Sequence, residues 1–200
     1  MMEVLFATSN KNKVSEANEA GRKYGIVFTQ IHVLYQEIRS DSVAEVAKAG
    51  AEYVYSEIQK PVIVEDSGIF INALNDFPGA YSRFVFEKLG NDGILKLLAG
   101  VEDREARFVS AVGYIGPAEN KIKSFVSHSG ISNTQTMIFE GVVEGKITTE
   151  KLGARGFGYD PIFKPKGYVK TFAEDVKMKN TISHRKIAFE KLCEWLKNKA

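Results

Sequence analysis

The segment Val62-Ile63-Val64-Glu65-Asp66-Ser67-Gly68 joins a run of branched apolar residues directly to two carboxylates. A continuous apolar run of this kind predicts a strand that is buried on both faces, as in the parallel part of an α/β sheet. In such sheets, ligands bind in the crevice beyond the carboxyl ends of the strands. We therefore expect the strand to end near Glu65 and the polar residues after it to face a crevice.

The residues before this segment alternate between strand and helix patterns. The apolar runs 3–7 and 26–31 predict two strands, and each is followed by small and apolar residues at helical spacing. Thr8-Ser9-Asn10 supplies capping residues for the first helix, and Ser42 with Glu45 has the spacing of a capping box for the second. This order of elements is typical of an α/β fold.

The residues after the segment indicate paired strands and a terminal helix. Two short helices are expected around 81–89 and 91–98, and long antiparallel strands at 108–115 and 137–147. The last helix is expected at about 184–197. The sheet is therefore predicted to be mixed, with helices flanking it.

Composition and charge exclude several classes of protein. The 200 residues suffice for a single domain, 1–200, that folds without a disulfide or a metal. The 27 Lys and Arg residues nearly balance the 25 Asp and Glu residues, which argues against a nucleic-acid partner bound through its phosphate backbone. Cys193 is the one cysteine, and with 3 histidines it cannot build a zinc site. No apolar run approaches the ~18 residues of a membrane span and no signal peptide is recognisable, so we expect a cytoplasmic protein without a membrane partner.

The first polar cluster lies at a strand end and a helix start: Thr8-Ser9-Asn10-Lys11-Asn12-Lys13. A helix N-terminus offers free N–H groups and a partial positive charge, which together bind phosphate. Lys13 lies one turn into the helix and could reach an anion held there. An ordinary N-cap followed by solvated lysines explains the same residues, and the chain has no Walker A motif.

The second cluster is the pair Glu65 and Asp66. Adjacent carboxylates at the end of a buried strand repel each other unless a cation offsets the repulsion. Oxygen ligands of this kind suit Mg²⁺, which also accepts phosphate oxygens. Glu37, which follows the second strand, is a candidate second ligand. The alternative is a polar turn in which Asp66 caps and Gly68 bends the chain.

Two further clusters lie near the C-terminus. The first is Gly156-Phe157-Gly158-Tyr159-Asp160-Pro161. Its glycines would let the backbone approach a flat ligand, and one of its aromatic rings could stack on that ligand. A glycine-rich turn between strands explains the same residues. In Lys179-Asn180-Thr181-Ile182-Ser183-His184-Arg185, a cap at Ser183 would place His184 and Arg185 in the first turn of the last helix. The helix dipole disfavours cations there, so they indicate an anionic or hydrogen-bonding ligand unless both are solvated.

Together and in this order, the clusters resemble the inosine triphosphate pyrophosphatase family, whose members act on non-standard purine nucleoside triphosphates. The resemblance covers essentially the whole chain. Five segments carry it: Thr8–Lys13, Glu65–Gly68, Phe77-Pro78-Gly79-Ala80-Tyr81-Ser82, Gly156–Pro161 and Ser183-His184-Arg185. It implies a two-lobed α/β fold around a long twisted mixed sheet, an active-site crevice between the lobes, and a homodimer. The implied reaction is Mg²⁺-dependent hydrolysis of ITP, dITP or XTP to the nucleoside monophosphate and pyrophosphate.

The resemblance also implies roles for residues, matched by position. Glu37 and Asp66 would bind Mg²⁺, Asp66 would also act as general base, and Ser67 would contact the phosphates. Six residues would hold the triphosphate: Thr8, Ser9, Asn10, Lys11, Asn12 and Lys13. Seven would enclose the base and sugar: Phe157, Gly158, Tyr159, Asp160, Lys179, His184 and Arg185.

Two segments depart from the family's pattern. Residues 120–139 are longer than the expected strand connection and could form a hairpin arm that touches the partner of a dimer. The residues before Lys179 are also atypical, so Lys177 competes with Lys179 for the base. We assign Lys179 because it lies five residues before His184.

Two other functions stay open from the sequence. A Maf-like pyrophosphatase would cleave the same bond in other nucleotides, although Ser183-His184-Arg185 favours the inosine triphosphate pattern. A non-enzymatic nucleotide- or RNA-binding module would use the same crevice. Carboxylates such as Asp66 and Glu37 argue against that module, because a protein that only binds a polyanion gains no affinity from carboxylates beside the phosphates.

Overall fold

The computed structural model describes residues 2–117 and 134–199. Within these ranges, seven strands form one sheet: β1 (Met2–Ala7), β2 (Ile26–Ile31), β3 (Val62–Ile71), β4 (Pro78–Gly79), β5 (Glu105–Pro117), β6 (Thr134–Ile147) and β7 (Phe163–Pro165). Five α-helices accompany it: α1 (Lys11–Gly21), α2 (Val43–Ile58), α3 (Ser82–Leu97), α4 (Val176–Ile182) and α5 (His184–Lys199). The predicted α/β class is confirmed.

The sheet is mixed, as predicted. Its strand order is β2-β1-β3-β5-β6-β7, and the short β4 pairs with β3. β1 runs parallel to β2 and β3, whereas the pairs from β3 to β7 are antiparallel. β1 is paired with β3 only as far as Ile63, and β4 pairs from Ile69 onward. Among the described strands, none covers the β3 edge between these two points, and the two carboxylates lie there.

The strand that contains the carboxylates does not end where we expected. β3 continues to Ile71, so Glu65 and Asp66 lie inside it rather than beyond its end. β5 pairs with β3 at every position from Val62 to Ile71, and this ladder keeps the polar residues extended. Because side chains alternate along a strand, Glu65 and Asp66 point to opposite faces of the sheet.

Helices cover both faces. α1 and α5 share an apolar cluster with Ile63, whereas α2 packs with Val62 and Val64 on the other face. A third cluster, which includes Ile71 and residues of α3, β5 and β7, forms the core at the far end of β3. Cys193 is buried in the first cluster.

Three helical features differ in detail from expectation: the two short helices, the capping box of α2, and α4. The two short helices form one element, α3, that is interrupted at Gly90, where a φ of 59° separates two helical parts. Ser42 caps α2 by accepting a hydrogen bond from the Glu45 N–H at 3.3 Å. The Glu45 carboxylate accepts from Ser40 Oγ instead of returning to Ser42, so half of the capping box forms. The short helix α4 was not foreseen.

The proposed hairpin arm at 120–139 lies largely outside the described residues, and its last six positions belong to β6. No helix in the described part of the chain is long and apolar enough to cross a membrane.

Candidate active site

The phosphate end of the site is built at the start of α1. Asn10 caps the helix by accepting from the Asn12 N–H at 2.9 Å, and Thr8 Oγ1 accepts from the Asn10 N–H at 3.2 Å. The capping explanation is therefore correct for these residues. Lys13, however, is not a solvated lysine: its Nζ lies 2.8 Å from Glu65 Oε2 and donates to the Glu65 carbonyl oxygen at 3.0 Å. The helix start is thus joined directly to β3.

The remaining residues of this turn are open to solvent. Ser9, Lys11 and Asn12 are exposed, so their side chains are accessible to a ligand at the helix start. The six residues of the first cluster therefore lie together, and Lys13 connects them to the carboxylates.

Glu65 is a buried carboxylate whose two oxygens each face a cationic side chain. Its Oε1 accepts from Ser110 Oγ at 2.7 Å and from Arg185 Nε at 3.1 Å, while Oε2 pairs with Lys13. Burial alone would raise the pKa of Glu65, but the charges of Arg185 and Lys13 outweigh it and lower the pKa to about 2. Arg185 Nη2 also donates to Ser67 Oγ at 2.9 Å. Glu65 therefore stays ionised and holds its neighbours in place.

Asp66 differs from Glu65 both in its partners and in the direction of its pKa shift. Its Oδ2 is buried and has no hydrogen-bond partner among the residues that the structure describes. Burial raises the pKa of Asp66 to about 7; the Glu65 and Glu37 carboxylates add to the rise, and Lys13 opposes it. A carboxyl with this pKa and a free oxygen can exchange a proton near neutral pH or bind a cation.

Glu37 supplies the second acidic side chain. It lies on the connection between β2 and α2, is exposed, and comes close enough to Asp66 to raise the pKa of that carboxyl. Within residues 2–117 and 134–199, no three His, Cys, Asp or Glu side chains gather into a ready metal centre. A cation held by Asp66 and Glu37 would therefore complete its shell with water and ligand oxygens, which is how Mg²⁺ binds beside phosphates.

Buried charges continue from Glu65 toward the C-terminal clusters. Glu16 on α1 pairs with Arg185 Nη1 at 2.7 Å and with Lys179 at 3.0 Å, and Lys179 pairs with Asp160 at 2.8 Å. Burial raises the pKa of Glu16, but Arg185 and Lys179 reverse this and lower it to about 2. We call the whole alternating series the charge line: Lys13, Glu65, Arg185, Glu16, Lys179 and Asp160.

A pocket of about 290 Å³ opens beside the charge line, between α1 and α4. Phe157 and Lys179, two of the residues expected around the base, line it, and Lys179 Nζ lies 4.1 Å from the centroid of the Phe157 ring. The other lining residues are Asn12, Ser15, Glu16, Glu19, Gly156, Val176 and Asn180. An aromatic ring beside convergent polar groups suits a flat heterocycle with a polar edge.

Tyr159 and Asp160 were also expected around the base, but they lie behind this pocket. Tyr159 is 4% exposed, and its hydroxyl donates to the Ser82 carbonyl oxygen at 2.8 Å. Asp160 Oδ2 accepts from the Phe157 N–H and from Lys179 Nζ, both at 2.8 Å. Asp160 therefore positions the two residues that do line the pocket, whereas Tyr159 packs against Phe86 in the core.

His184 is enclosed by the core. Its ring stacks on Phe108 with centroids 4.6 Å apart, and its Nδ1 has no partner among the described residues. Burial, with Arg185 adding to it, lowers the pKa of His184 to about 3, so the ring is neutral. Lys177 is exposed, whereas Lys179 is buried at the pocket, which supports the choice of Lys179. Gly158 turns the chain with a φ of 61°.

Sequence reasoning missed two members of the site. Glu16 lies three residues after Lys13, a spacing that places both on one face of a helix, so a signal was available. Ser110 comes from β5, and only the register that pairs it with Ser67 brings it near Glu65. No local pattern points to it.

Known proteins match the chain over nearly its full length. The model of the Ham1 family matches residues 4–195. A dITP/XTP pyrophosphatase from Methanopyrus kandleri is 47% identical over 98% of this chain and 97% of its own length. One from Thermococcus kodakarensis is 41% identical over 98% of both chains.

Solved structures match it as well. A HAM1 protein from Coxiella burnetii has a TM-score of 0.80 at 31% identity, over 100% of both chains. The Ham1 protein from Staphylococcus aureus has a TM-score of 0.78 at 28% identity, over 99% of this chain and 100% of that one.

Proposed function

The chain belongs to the Ham1 family, and from that premise we propose that it hydrolyses non-standard purine nucleoside triphosphates. The substrates would be dITP, XTP and ITP, and the products the nucleoside monophosphate and pyrophosphate. Relatives that match nearly the whole chain are named dITP/XTP pyrophosphatases, which supports this substrate class. The structural observation that carries the proposal is Asp66, a half-buried residue at the open edge of β3 whose buried Oδ2 has no hydrogen-bond partner in the described part of the chain.

In the proposed mechanism, the triphosphate lies against the start of α1, where Lys13 and the helix N–H groups meet its negative charge. Asp66 and Glu37 would hold Mg²⁺, and an Asp66 oxygen that has no partner within residues 2–117 and 134–199, beside a second carboxylate, supports that fit. A bound Mg²⁺ would supply positive charge that polarises phosphate oxygens and water. Ser67 Oγ, held by Arg185, would contact a phosphate oxygen.

Asp66 would accept a proton from the attacking water. The water oxygen forms a bond to the α-phosphorus while the bond from that phosphorus to the bridging oxygen breaks, and pyrophosphate departs with the electron pair. Without a cation, burial raises the pKa of Asp66 to about 7, and a bound cation would lower it, so that the carboxylate is ionised and able to accept a proton at neutral pH. Lys13 would stabilise the charge that grows on the departing pyrophosphate.

The pocket beside the charge line would recognise the base. Hypoxanthine and xanthine present a keto oxygen at position 6, whereas adenine presents an amino donor there. Lys179, which lines the pocket, would offer a charged donor to the keto oxygen, and adenine would leave that donor without this partner at a cost of about 1–3 kcal/mol or more. Sites built on such a hydrogen bond reject the wrong partner by up to ~10⁴–10⁵ in kcat/KM.

Steady-state kinetics of pyrophosphate release test the proposal. With Mg²⁺ present, we expect kcat/KM for ITP, XTP and dITP to exceed that for ATP by at least ~10². The margin over GTP should be smaller, because guanine shares the keto oxygen. Comparable values for ITP and ATP, or release of orthophosphate instead of pyrophosphate, would overturn the proposed function.

We also propose that the enzyme is a cytoplasmic homodimer. The family resemblance supports the dimer, and the nucleotide pool that such an enzyme would clear supports the location. Light scattering after gel filtration should give twice the mass of one chain. A mass equal to one chain at micromolar concentration would contradict the dimer.

A further inference from the structure

The connection that carries Glu37, residues 32–42, has no helix or strand of its own. Residues 36–39 at its middle are all exposed, and Glu37 forms no hydrogen bond or ion pair with another described residue. A segment with so few contacts opens easily and does not by itself keep a carboxylate close to Asp66. The contacts that fix its path must come from the residues that flank Glu37.

Tyr35 is the last packed residue before Glu37. Its ring, with Val33, joins the apolar cluster between α2 and β3, and it stacks on Tyr53 of α2 with centroids 6.0 Å apart. Two residues of extended chain span at most about 7 Å, so a fixed Tyr35 confines Glu37 to a small volume.

Helix α2 leaves room for this ring at Gly50. A Cβ atom at Gly50 would lie 3.0 Å from the Tyr35 hydroxyl oxygen, 3.1 Å from its Cε2 and 3.0 Å from Val64 Cγ1. The tip of the ring therefore occupies a notch between α2 and β3 that a side chain at Gly50 would fill. Val64 lies two residues before Asp66 and on the same face of β3, so the notch adjoins the strand that holds Asp66.

We propose that Tyr35 is a positioning residue for the metal site: its ring, seated in the Gly50 notch, holds the 32–42 connection so that Glu37 and Asp66 bind the same cation. The inference rests on the proposed function, because it takes those two carboxylates as the ligands. Tyr35 acts through the packing of its ring and contacts neither substrate nor metal. The conservative variant Tyr35→Phe keeps that packing, whereas Tyr35→Ala removes it.

Metal affinity is the decisive measurement. We expect Tyr35→Ala to raise the Kd for Mn²⁺, measured by electron paramagnetic resonance without nucleotide, by about 10- to 100-fold, the usual effect of removing a residue that orients a ligand. The Mg²⁺ concentration for half-maximal ITP hydrolysis should rise in parallel, and saturating Mg²⁺ should restore most of kcat. Tyr35→Phe should stay close to wild type in the Mn²⁺ Kd and in the Mg²⁺ concentration for half-maximal hydrolysis. Tyr55→Ala removes an aromatic ring from the same apolar cluster at a residue of α2, outside the connection, and it should lower Tm but leave the Mn²⁺ Kd unchanged.

The path of the connection can be followed without metal or substrate. Arg39 is exposed two residues after Glu37 and offers a trypsin site. Tyr35→Ala should speed cleavage after Arg39, and Tyr55→Ala should not. Gly50→Ala, which narrows the notch while Tyr35 remains, should shift the Mn²⁺ Kd and the cleavage rate in the same direction as Tyr35→Ala.

A folded Tyr35→Ala protein with an unchanged Mn²⁺ Kd would overturn the role of Tyr35. Equal losses in Tyr35→Phe and Tyr35→Ala would overturn the ring-packing basis. Failure of the proposed function has a different signature: a wild-type enzyme that needs no divalent cation, or that releases no pyrophosphate from any nucleotide, would remove the metal site and this inference with it.

Discussion

The two faces of β3 treat neighbouring carboxylates in opposite ways. On the face under α1 and α5, Glu65 is paired with Lys13 and Arg185, and its pKa is about 2. On the face toward the 32–42 connection, Asp66 keeps one oxygen without a described partner, and its pKa is about 7. Burial raises the pKa of both carboxyls. The difference therefore comes from the positive charge that each face supplies.

This contrast separates a residue that stabilises the site from one that is available to react. Glu65 has an ion pair at each carboxylate oxygen, with Lys13 at Oε2 and Arg185 at Oε1, so it is suited to hold cationic side chains in place. Asp66 has unmet capacity in a buried position, which is unfavourable for the fold and suited to a proton or a cation. The same amide substitution at the two positions should accordingly damage different properties.

Asp66→Asn should give the largest effect on activity. An amide can neither accept the proton of the attacking water nor bind a cation well, and loss of a general base lowers kcat by ~10²–10⁴. The measurement is the rate of pyrophosphate release from ITP at saturating Mg²⁺. Asp76→Asn, the same change at an exposed carboxylate outside the site, is the control and should be near wild type. Retention of more than roughly a tenth of kcat would refute the role of Asp66.

Glu65→Gln should instead reduce stability. It removes a negative charge from the charge line and leaves Lys13 and Arg185 less than fully paired, and breaking a buried ion pair costs about 3–5 kcal/mol. We expect the lower end, about 3 kcal/mol in the free energy of unfolding by urea, because Arg185 keeps its pair with Glu16. Glu105→Gln, which breaks an exposed pair with Lys146, should change it by less than about 1 kcal/mol. Equal losses in the two variants would mean that burial of the charge line contributes nothing.

Local patterns predicted most of the fold but not the length of β3. The apolar runs of β1 and β2 and the helical stripe of α2 lie within short windows, so periodicity was sufficient for them. β3 extends through polar residues because β5, about forty positions later, pairs with it. That pairing cannot be seen from the residues of β3 themselves.

The chemistry of the site was predictable because its residues stand in short local patterns. The partners that Glu65 and Asp66 have in the fold were not predictable. Adjacent acids at 65 and 66 indicated a cation site, yet nothing local distinguishes the two. What distinguishes them is Arg185, 120 positions away from Glu65, and Ser110, 45 positions away. His184 was expected to meet the ligand, but packing against the distant Phe108 encloses it.

Lys13→Ala would test the connection between the two faces. Lys13 pairs with Glu65 and also opposes the rise in the pKa of Asp66, so the change affects both. Loss of a charged hydrogen bond to the phosphates should lower kcat/KM for ITP by about 10- to 100-fold, with kcat reduced and KM raised. Arg22→Ala, at an exposed residue that directly follows α1, should leave kcat and KM unchanged. An effect on KM alone would make Lys13 a steering charge, and no effect would restore the capping explanation for the whole cluster.

The smallest expected effect is the dependence of stability on pH. A carboxyl whose pKa is raised on folding, from 3.8 to about 7 for Asp66, contributes stability at low pH that is lost as the pH rises through about 7. Glu65, whose pKa falls from 4.5 to about 2, contributes stability above pH 4.5 that is lost as the pH falls toward 2. Asp66→Asn removes only the first of these contributions.

Metal-free Asp66→Asn should therefore gain stability relative to wild type between pH 5 and pH 8. Each unit of pKa shift corresponds to about 1.4 kcal/mol, and partial contact with water reduces the total, so we expect a relative gain on the order of 1–2 kcal/mol in urea unfolding with EDTA present. Adding Mg²⁺ at pH 8 should raise the free energy of unfolding of the wild type more than that of Asp66→Asn. An ion that binds the folded wild type stabilises it, and the ion finds a weaker site in the variant. Glu65→Gln should show no such gain over this range, since the Glu65 carboxyl is ionised throughout it. A relative stability of Asp66→Asn that is the same at pH 5 and pH 8 would mean that Asp66 titrates normally, and the contrast between the two faces of β3 would disappear.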